Sequence, residues 1–279
     1  MESSLFLRMA KARVVVVGDV LLDRFVEGNV SRVSPEAPVA ILRHGREFAR
    51  LGGAGNVAAN LAAYGVAITL VGAVGDDAAG RELAGLCTDC PGLTPRLVVD
   101  RGRPTTVKTR FMGGWHQLLR VDSEAAHALP QAQADEMFHA AAEAIADADI
   151  VVLSDYDKGV LDPVMVGRII AEARRAGRKV IVDPKKRDPA VFAGADILKP
   201  NIEEMALFTG LRPLSDDEAE AACRRLIEIA GVGAVLFTRG EGGMTLVRAS
   251  GGQPLHVRAE THRVFDVTGA GDSVIATLA

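Results

Sequence analysis

Asp266-Val267-Thr268-Gly269-Ala270-Gly271-Asp272 stands near the end of the chain, after a predicted strand and before the apolar segment 274–279. Its glycines let backbone N–H groups converge on an anion at a helix N-terminus, where the helix dipole also favours negative charge. A carboxylate belongs poorly in such a nest. Asp272 is therefore read as a base aimed at a substrate hydroxyl, while the amides of Gly269, Ala270 and Gly271 stabilise charge developing on a transferred phosphoryl group. The competing reading is a glycine-rich turn with Asp272 as a helix cap, because short glycine motifs recur by accident. Either way the stretch is a strand-to-helix turn, and the same rhythm recurs upstream.

Val/Ile-rich runs at 13–17, 67–71, 150–153, 179–182 and 234–238 predict buried strands. Helical patterns lie between them at 53–64, 77–86, 131–146, 163–176 and 216–230, several closed by a glycine. Such alternation predicts a doubly wound α/β fold, a mostly parallel sheet with helices on both faces. Ligands of such sheets collect at the carboxyl ends of the strands, where Gly18-Asp19, Asp155, Asp183 and Thr238 fall. Residues 25–48 and 96–122 break the rhythm and carry β-favouring segments at 39–42 and 105–111. They are expected to form a small lid of antiparallel strands, leaving 1–24, 49–95 and 123–279 as the main domain.

Size and charge narrow the function. A chain of 279 residues that is 48% hydrophobic can bury one large core. Its 32 basic and 36 acidic residues give a formal charge of −4, without the basic excess of a nucleic-acid binder or a membrane-surface helix. An anionic substrate must then be met by local positive groups. No apolar run is long enough for a membrane span, so a cytoplasmic location is expected. The three cysteines favour no disulfide framework, and Cys87-Thr88-Asp89-Cys90 lacks the further ligands a zinc site needs. Cys223 reads as a small core residue.

Further landmarks appear in order: Gly18-Asp19 closing the first strand, Gly52-Gly53 with Asn56, Asn201-Ile202-Glu203-Glu204, and Thr238-Arg239-Gly240 with Gly242-Gly243. With the terminal motif they resemble the signatures of the PfkB, or ribokinase-like, sugar kinases over residues 12–279. The resemblance implies ATP and Mg²⁺ as cofactors, a sugar-phosphate or sugar substrate, and a β-sheet lid that covers the sugar and often forms a homodimer interface. It also implies further helices after Ala279 that help wall the adenine pocket, so the C-terminal part of the kinase domain is expected to be missing.

Asp19 and Asp23 flank the end of the first strand, where two carboxylates can accept hydrogen bonds from sugar hydroxyls; Asp23 can equally be a helix cap or a surface charge. Gly52 and Gly53 let backbone approach the sugar, and Asn56 supplies both donor and acceptor. Asn201 and Glu204, one helical turn apart, can organise water and Mg²⁺ around the triphosphate, although a capping box uses similar residues. Lys185 follows a strand end and is expected near phosphate, with Thr238, Gly240 and Gly243 in a nucleotide loop.

The lid holds the substrate clue. Lys108, Arg110, His116, Gln117 and Arg120 put positive or donor groups in an acidic protein, and alternation along Thr106-Lys108-Arg110 sets those side chains on one strand face. Such a face suits a phosphate already present on the sugar, or else is a charged, solvated strand edge. Gly28-Asn29-Val30-Ser31-Arg32-Val33-Ser34-Pro35-Glu36-Ala37-Pro38, Lys108-Thr109-Arg110, residues 117–122 and Ser154-Asp155-Tyr156-Asp157-Lys158-Gly159 are similar to the kinases that phosphorylate D-glycero-β-D-manno-heptose 7-phosphate at O1. Gly114-Trp115-His116-Gln117 departs from the Gln-His-Gln-Gln expected on that resemblance. Two other classes compete. A dinucleotide-binding oxidoreductase would need G-x-G-x-x-G after the first strand, where this chain has Gly18-Asp19-Val20-Leu21-Leu22-Asp23. A sugar-binding regulator without catalysis is the third.

Overall fold

The fold, a computed structural model, describes Met9 and residues 11–185, 188–260 and 269–279; Asp266, Val267 and Thr268 of the terminal motif lie outside them. In chain order come β1 (Arg13–Gly18), β2 (Val20–Val33), β3 (Ala40–Gly53), α1 (Ala54–Ala63), β4 (Ala67–Gly75), α2 (Ala78–Thr88), β5 (Leu93–Asp100), β6 (Val107–Gly113) and β7 (His116–Ser123). Then follow α3 (Gln131–Asp147), β8 (Ile150–Ser154), α4 (Pro163–Arg175), β9 (Lys179–Asp183), β10 (Ile197–Leu198), α5 (Ile202–Thr209), α6 (Asp216–Ala230), β11 (Ala234–Thr238), β12 (Met244–Arg248), β13 (Leu255–Val257) and α7 (Ala270–Leu278).

Among the described residues a nine-stranded sheet runs in the order β13-β12-β11-β10-β9-β8-β1-β4-β5, parallel from β11 to β5 with β12 and β13 antiparallel at one edge. The Val-rich run of β1 sits in the middle, paired with β4 on one side and β8 on the other. Its alternate side chains explain the two layers of helices. Val15 and Val17 enter a core with Met137 and Ile145 of α3, Ile169 of α4 and Leu226 of α6, whereas Val14 and Val16 enter one with Leu61 of α1, Leu83 of α2 and Ile275 of α7. A strand buried on both faces must be apolar at every position, which is why these runs do not alternate. The doubly wound architecture expected from the sequence is the one observed.

Helix boundaries follow local chemistry. Asp162 caps α4 by accepting from the Met165 amide at 2.7 Å, with Pro163 at the first helical position, and Asp77 caps α2 by accepting from Gly80 N at 2.7 Å. No helix of the described residues is long and apolar enough to cross a membrane.

A second, four-stranded sheet has the order β3-β2-β6-β7. It differs from the expected lid in two ways. Its strands are not all antiparallel, since β2 pairs parallel with β6. In addition β5, whose last five residues fall in the 96–122 segment, pairs parallel with β4 in the large sheet. β5 is an edge strand whose buried and exposed positions mix and whose run is interrupted by Pro95 and Arg96, so it lacks the continuous apolar signature of the central strands. β2 is also longer than expected: it starts at Val20 with Val20, Leu21 and Leu22 buried in the core, then runs outward to exposed residues.

Candidate active site

α7 begins where Gly269 adopts a left-handed backbone, φ 79°, a conformation an L side chain resists. That turn brings Asp272 into the first turn of the helix, 6% exposed, among groups from three distant parts of the chain. Asn56 Nδ2 donates to one carboxylate oxygen and the Tyr156 hydroxyl to the other, both at 2.6 Å. Burial pushes the Asp272 carboxyl up; these two hydrogen bonds and the Lys199 charge oppose that rise, while the Asp23 charge adds to it. A base works only when deprotonated. The rate is therefore expected to fall as pH drops through this raised pKa, so the acid limb of kcat/KM should lie above the ordinary carboxylate range; a limb at or below that range would remove Asp272 from the role of base.

Lys199 follows β10 directly and is 3% exposed, with Nζ 2.8 Å from Asp183 Oδ1 at the end of β9. It also lies beside the α7 nest, since a Cβ added at Gly271 would stand 3.4 Å from that nitrogen. Burial pushes Asp183 up to about 7, with Lys199 opposing and the charges of Glu204 and Asp272 reinforcing. Glu204 completes a capping box: Asn201 Oδ1 accepts from Glu204 N and Glu204 Oε2 from Asn201 N, both at 2.9 Å. The other oxygen of Glu204 is 3.6 Å from Lys185 Nζ. Thr238 donates its amide to Pro200 O at 3.0 Å, which sets the turn carrying Gly240 (φ 57°) and Gly243 (φ 80°) beside Asn201.

Asp19 is buried, and its two oxygens accept from the amides of Tyr156, Lys158 and Val160 at 2.8, 3.2 and 3.3 Å. The geometry makes it the anchor of the loop that carries Tyr156. Asp155 accepts from the amides of Asp157 at 2.9 Å and Lys185 at 3.4 Å, tying the loops after β8 and β9 together. Neither Tyr156 nor Lys199 was singled out from the sequence. A lysine immediately before Pro200-Asn201 at a strand end was the one available signal for Lys199; for Tyr156 it was its place in the family-like stretch 154–159.

On the small sheet Arg110 Nη1 donates to Asp23 Oδ1 at 2.5 Å. Gly52 lies against the same carboxylate, where a Cβ would meet Asp23 Oδ2 at 2.5 Å, and Gly53 at φ 57° turns the chain into α1 and Asn56. Lys108 Nζ is 3.0 Å from Asp122 Oδ2 and 3.6 Å from Glu124 Oε2, and Arg120 grips Asp122 at 2.8 and 3.0 Å. Gln117 and His116 are exposed on β7. Each cation expected to meet a substrate phosphate thus has a carboxylate partner. Asp19, Asp23, Asn201 and Glu204 are likewise engaged within the protein, Gly52 lies against Asp23, and Asn56 contacts the base.

Residues 11–279 match the model of the pfkB family carbohydrate kinases. The chain belongs to that family. As a pfkB carbohydrate kinase it is a phosphotransferase. It is 47% identical over 280 residues to the Bifunctional protein HldE of Paramagnetospirillum magneticum, covering 99% of this chain and 57% of that protein. Against the Bifunctional protein HldE of Rhodospirillum rubrum it is 47% identical over 271 residues, covering 97% of this chain and 54% of the relative. The pfkB chain thus spans a little over half the length of these relatives. Among solved structures, the tetrameric inhibited form of phosphofructokinase-2 from Escherichia coli superposes with a TM-score of 0.78 at 19% identity, covering 95% of this chain and 85% of that one. Arabidopsis thaliana ribokinase complexed with ribose and ATP gives a TM-score of 0.72 at 23% identity, covering 95% and 84%. At these identities the two structures establish the pfkB fold alone.

Proposed function

We propose that this kinase transfers the γ-phosphoryl group of ATP to O1 of D-glycero-β-D-manno-heptose 7-phosphate, giving heptose 1,7-bisphosphate on the route to ADP-heptose and the lipopolysaccharide core. The observation that carries the reading is the clamped carboxylate of Asp272 in the first turn of α7. Asp272 takes the proton of the anomeric hydroxyl as O1 bonds to the γ-phosphorus, and the bond from that phosphorus to the β-phosphate oxygen breaks to release ADP. Asn56 and Tyr156 hold the carboxylate in place, and the Gly269, Ala270 and Gly271 amides face the transferred oxygens. Asp23, Gly52 and Gly53 meet the sugar; Lys185, Lys199 and the 238–243 turn meet the nucleotide.

Mg²⁺ bound with ATP would neutralise triphosphate charge. Among the described residues no group of three or more His, Cys, Asp or Glu side chains is arranged to hold a metal, which fits an ion that keeps most of its water and takes few protein ligands. Glu204, through the oxygen not used in its capping box, and Asn201 would hold it through water. The reading sets the enzyme in the cytoplasm, where ATP is supplied. The test is sugar-dependent ADP release with a panel of sugars and sugar phosphates: heptose 7-phosphate should give the highest kcat/KM. A better substrate elsewhere in the panel would replace the sugar, and no ADP release with any of them would sink the proposal.

A homodimer through the small sheet belongs to the same proposal. Leu119 and Val121 on β7 are 57% and 49% exposed, Val33 and Val39 are 64% and 56%, and Trp115 at the β6–β7 turn is 98% exposed. So much apolar surface on one small sheet marks an interaction face, and an isologous contact would cover it in both copies. Light scattering is expected to give twice the chain mass at tens of micromolar, and Leu119→Glu to give a monomer. A monomeric unmodified protein would refute it.

A further inference from the structure

Among the described residues Arg50 is a cation on the face of the small sheet that carries Asp23, and no carboxylate pairs with it. Strand register defines the face. Across β2 and β3, Asp23 pairs with Arg50, Phe25 with Phe48 and Glu27 with Arg46; across β2 and β6, Asp23 aligns with Lys108 and Phe25 with Arg110. Residues in register project to the same side, so Asp23, Phe25, Glu27, Phe48 and the basic side chains share one face. The charges on it are largely matched: Arg46 with Glu27 at 2.6 Å, Arg110 with Asp23, and Lys108 and Arg120 with Asp122. Among the described residues Arg50 has no ion pair, and it is exposed.

Its guanidinium is nonetheless held in place. It lies 5.8 Å from the centroid of the Phe25 ring and 5.2 Å from that of Phe48, and those rings stack on each other at 5.0 Å. Stacking on aromatic faces fixes the plane of an arginine while leaving its N–H fork free for a ligand. Position completes the case. Arg50 is the cross-strand partner of Asp23, and six residues further along the same chain Asn56 donates to Asp272. The cation, the sugar-facing glycines and the base therefore lie along one continuous stretch of backbone.

We propose that Arg50 binds the phosphate that the sugar substrate already carries, through a bidentate guanidinium–phosphate contact. A phosphate dianion is the ligand that matches an oriented, uncompensated guanidinium; a neutral sugar hydroxyl would leave the charge unanswered. This rests on the reading of the protein as a sugar-phosphate kinase and names a specificity residue within it.

The test compares steady-state kinetics of the full-length protein, Arg50→Gln, Arg50→Lys and the control Arg46→Gln, on the sugar phosphate that the wild type uses best and on the same sugar without its phosphate. Arg50→Gln is expected to raise KM for the sugar phosphate by about ten- to a hundredfold, the range of a lost charge-assisted contact. Its KM for ATP and its kcat/KM on the unphosphorylated sugar should stay within about twofold of wild type, so the preference between the two sugars collapses by the same factor. Arg50→Lys should retain part of the preference, and Arg46→Gln should retain all of it. An unchanged KM for the sugar phosphate in Arg50→Gln, or an equal loss on both sugars, overturns the assignment while the kinase reading stands. A wild type that turns over only unphosphorylated sugars overturns both.

Discussion

Asp272→Asn is expected to lower turnover by about two to four orders of magnitude with saturating sugar and ATP, the contribution typical of a positioned base. Asparagine keeps the volume and still accepts from the Tyr156 hydroxyl, and Asn56 can rotate its amide to present oxygen to the new NH₂ group. Fold and ligand affinity should therefore survive. The carboxyl of Asp272 is pushed up by burial, so its removal relieves a desolvated charge and stability should be equal to or slightly above wild type. Thermal melting with and without ligands, beside single-turnover kinetics, separates lost chemistry from lost structure. Near-normal turnover in a folded variant would remove Asp272 from the mechanism, and the acid limb of the pH profile should vanish with the carboxylate.

Lys199→Met is expected to destabilise the fold by about 3–5 kcal/mol in alkaline buffer, above the Asp183 pKa of about 7, the range for breaking a buried ion pair by removing one partner. The loss should be smaller at neutral pH, where the unpaired carboxyl takes up a proton. The lysine is 3% exposed and its partner Asp183 is pushed upward by burial first and then by the charges of two further carboxylates, Glu204 and Asp272. Without the ammonium that cluster has lost its most buried cation. Adding Asp183→Asn to Lys199→Met should return most of the lost stability, because the desolvated charge then disappears with its partner. Urea unfolding midpoints of both single variants and the double variant give the coupling. A loss below about 1 kcal/mol in Lys199→Met would mean that water reaches the pair.

What could be foreseen from the amino acids depended on whether a feature was local. Five central strands of the large sheet, β1, β4, β8, β9 and β11, announced themselves because burial on both faces demands unbroken Val and Ile, as in Val14 to Val17, whereas the two-residue β10 and the antiparallel edge strands β12 and β13 did not. β5 did not, since an edge strand with Pro95 and Arg96 reads like the small sheet. Asp272 and Asn56 were legible because glycines beside them marked close backbone approach. Tyr156 and Asp272 are 116 residues apart, and although Tyr156 lies in the family-like stretch 154–159, nothing in that stretch points to a contact with the terminal motif. From the sequence both Asp19 and Asp23 were read as sugar ligands, with the cap or surface-charge alternative left open for Asp23 alone. Only the path of β2 separates them, turning the first onto three amides and the second onto Arg110. Arg50 shows the same limit, because an unmatched charge becomes visible only when every neighbour's partner is known.

The place of β1 bears on how the polypeptide is made. Among the described residues it comes first in chain order, yet it lies in the interior of the sheet, flanked by β4 and by β8, and the Arg13 amide bonds to Asp149, 136 residues later. Until β8 has left the ribosome, one side of a four-valine strand offers unpaired amides and carbonyls, a template for pairing with another nascent chain. Pairings this distant also slow folding, because the loop must close before any contact rewards it. Fragments that end before residue 150 are therefore expected to be recovered as aggregates, and fragments that reach beyond β9 to be the first that remain in solution.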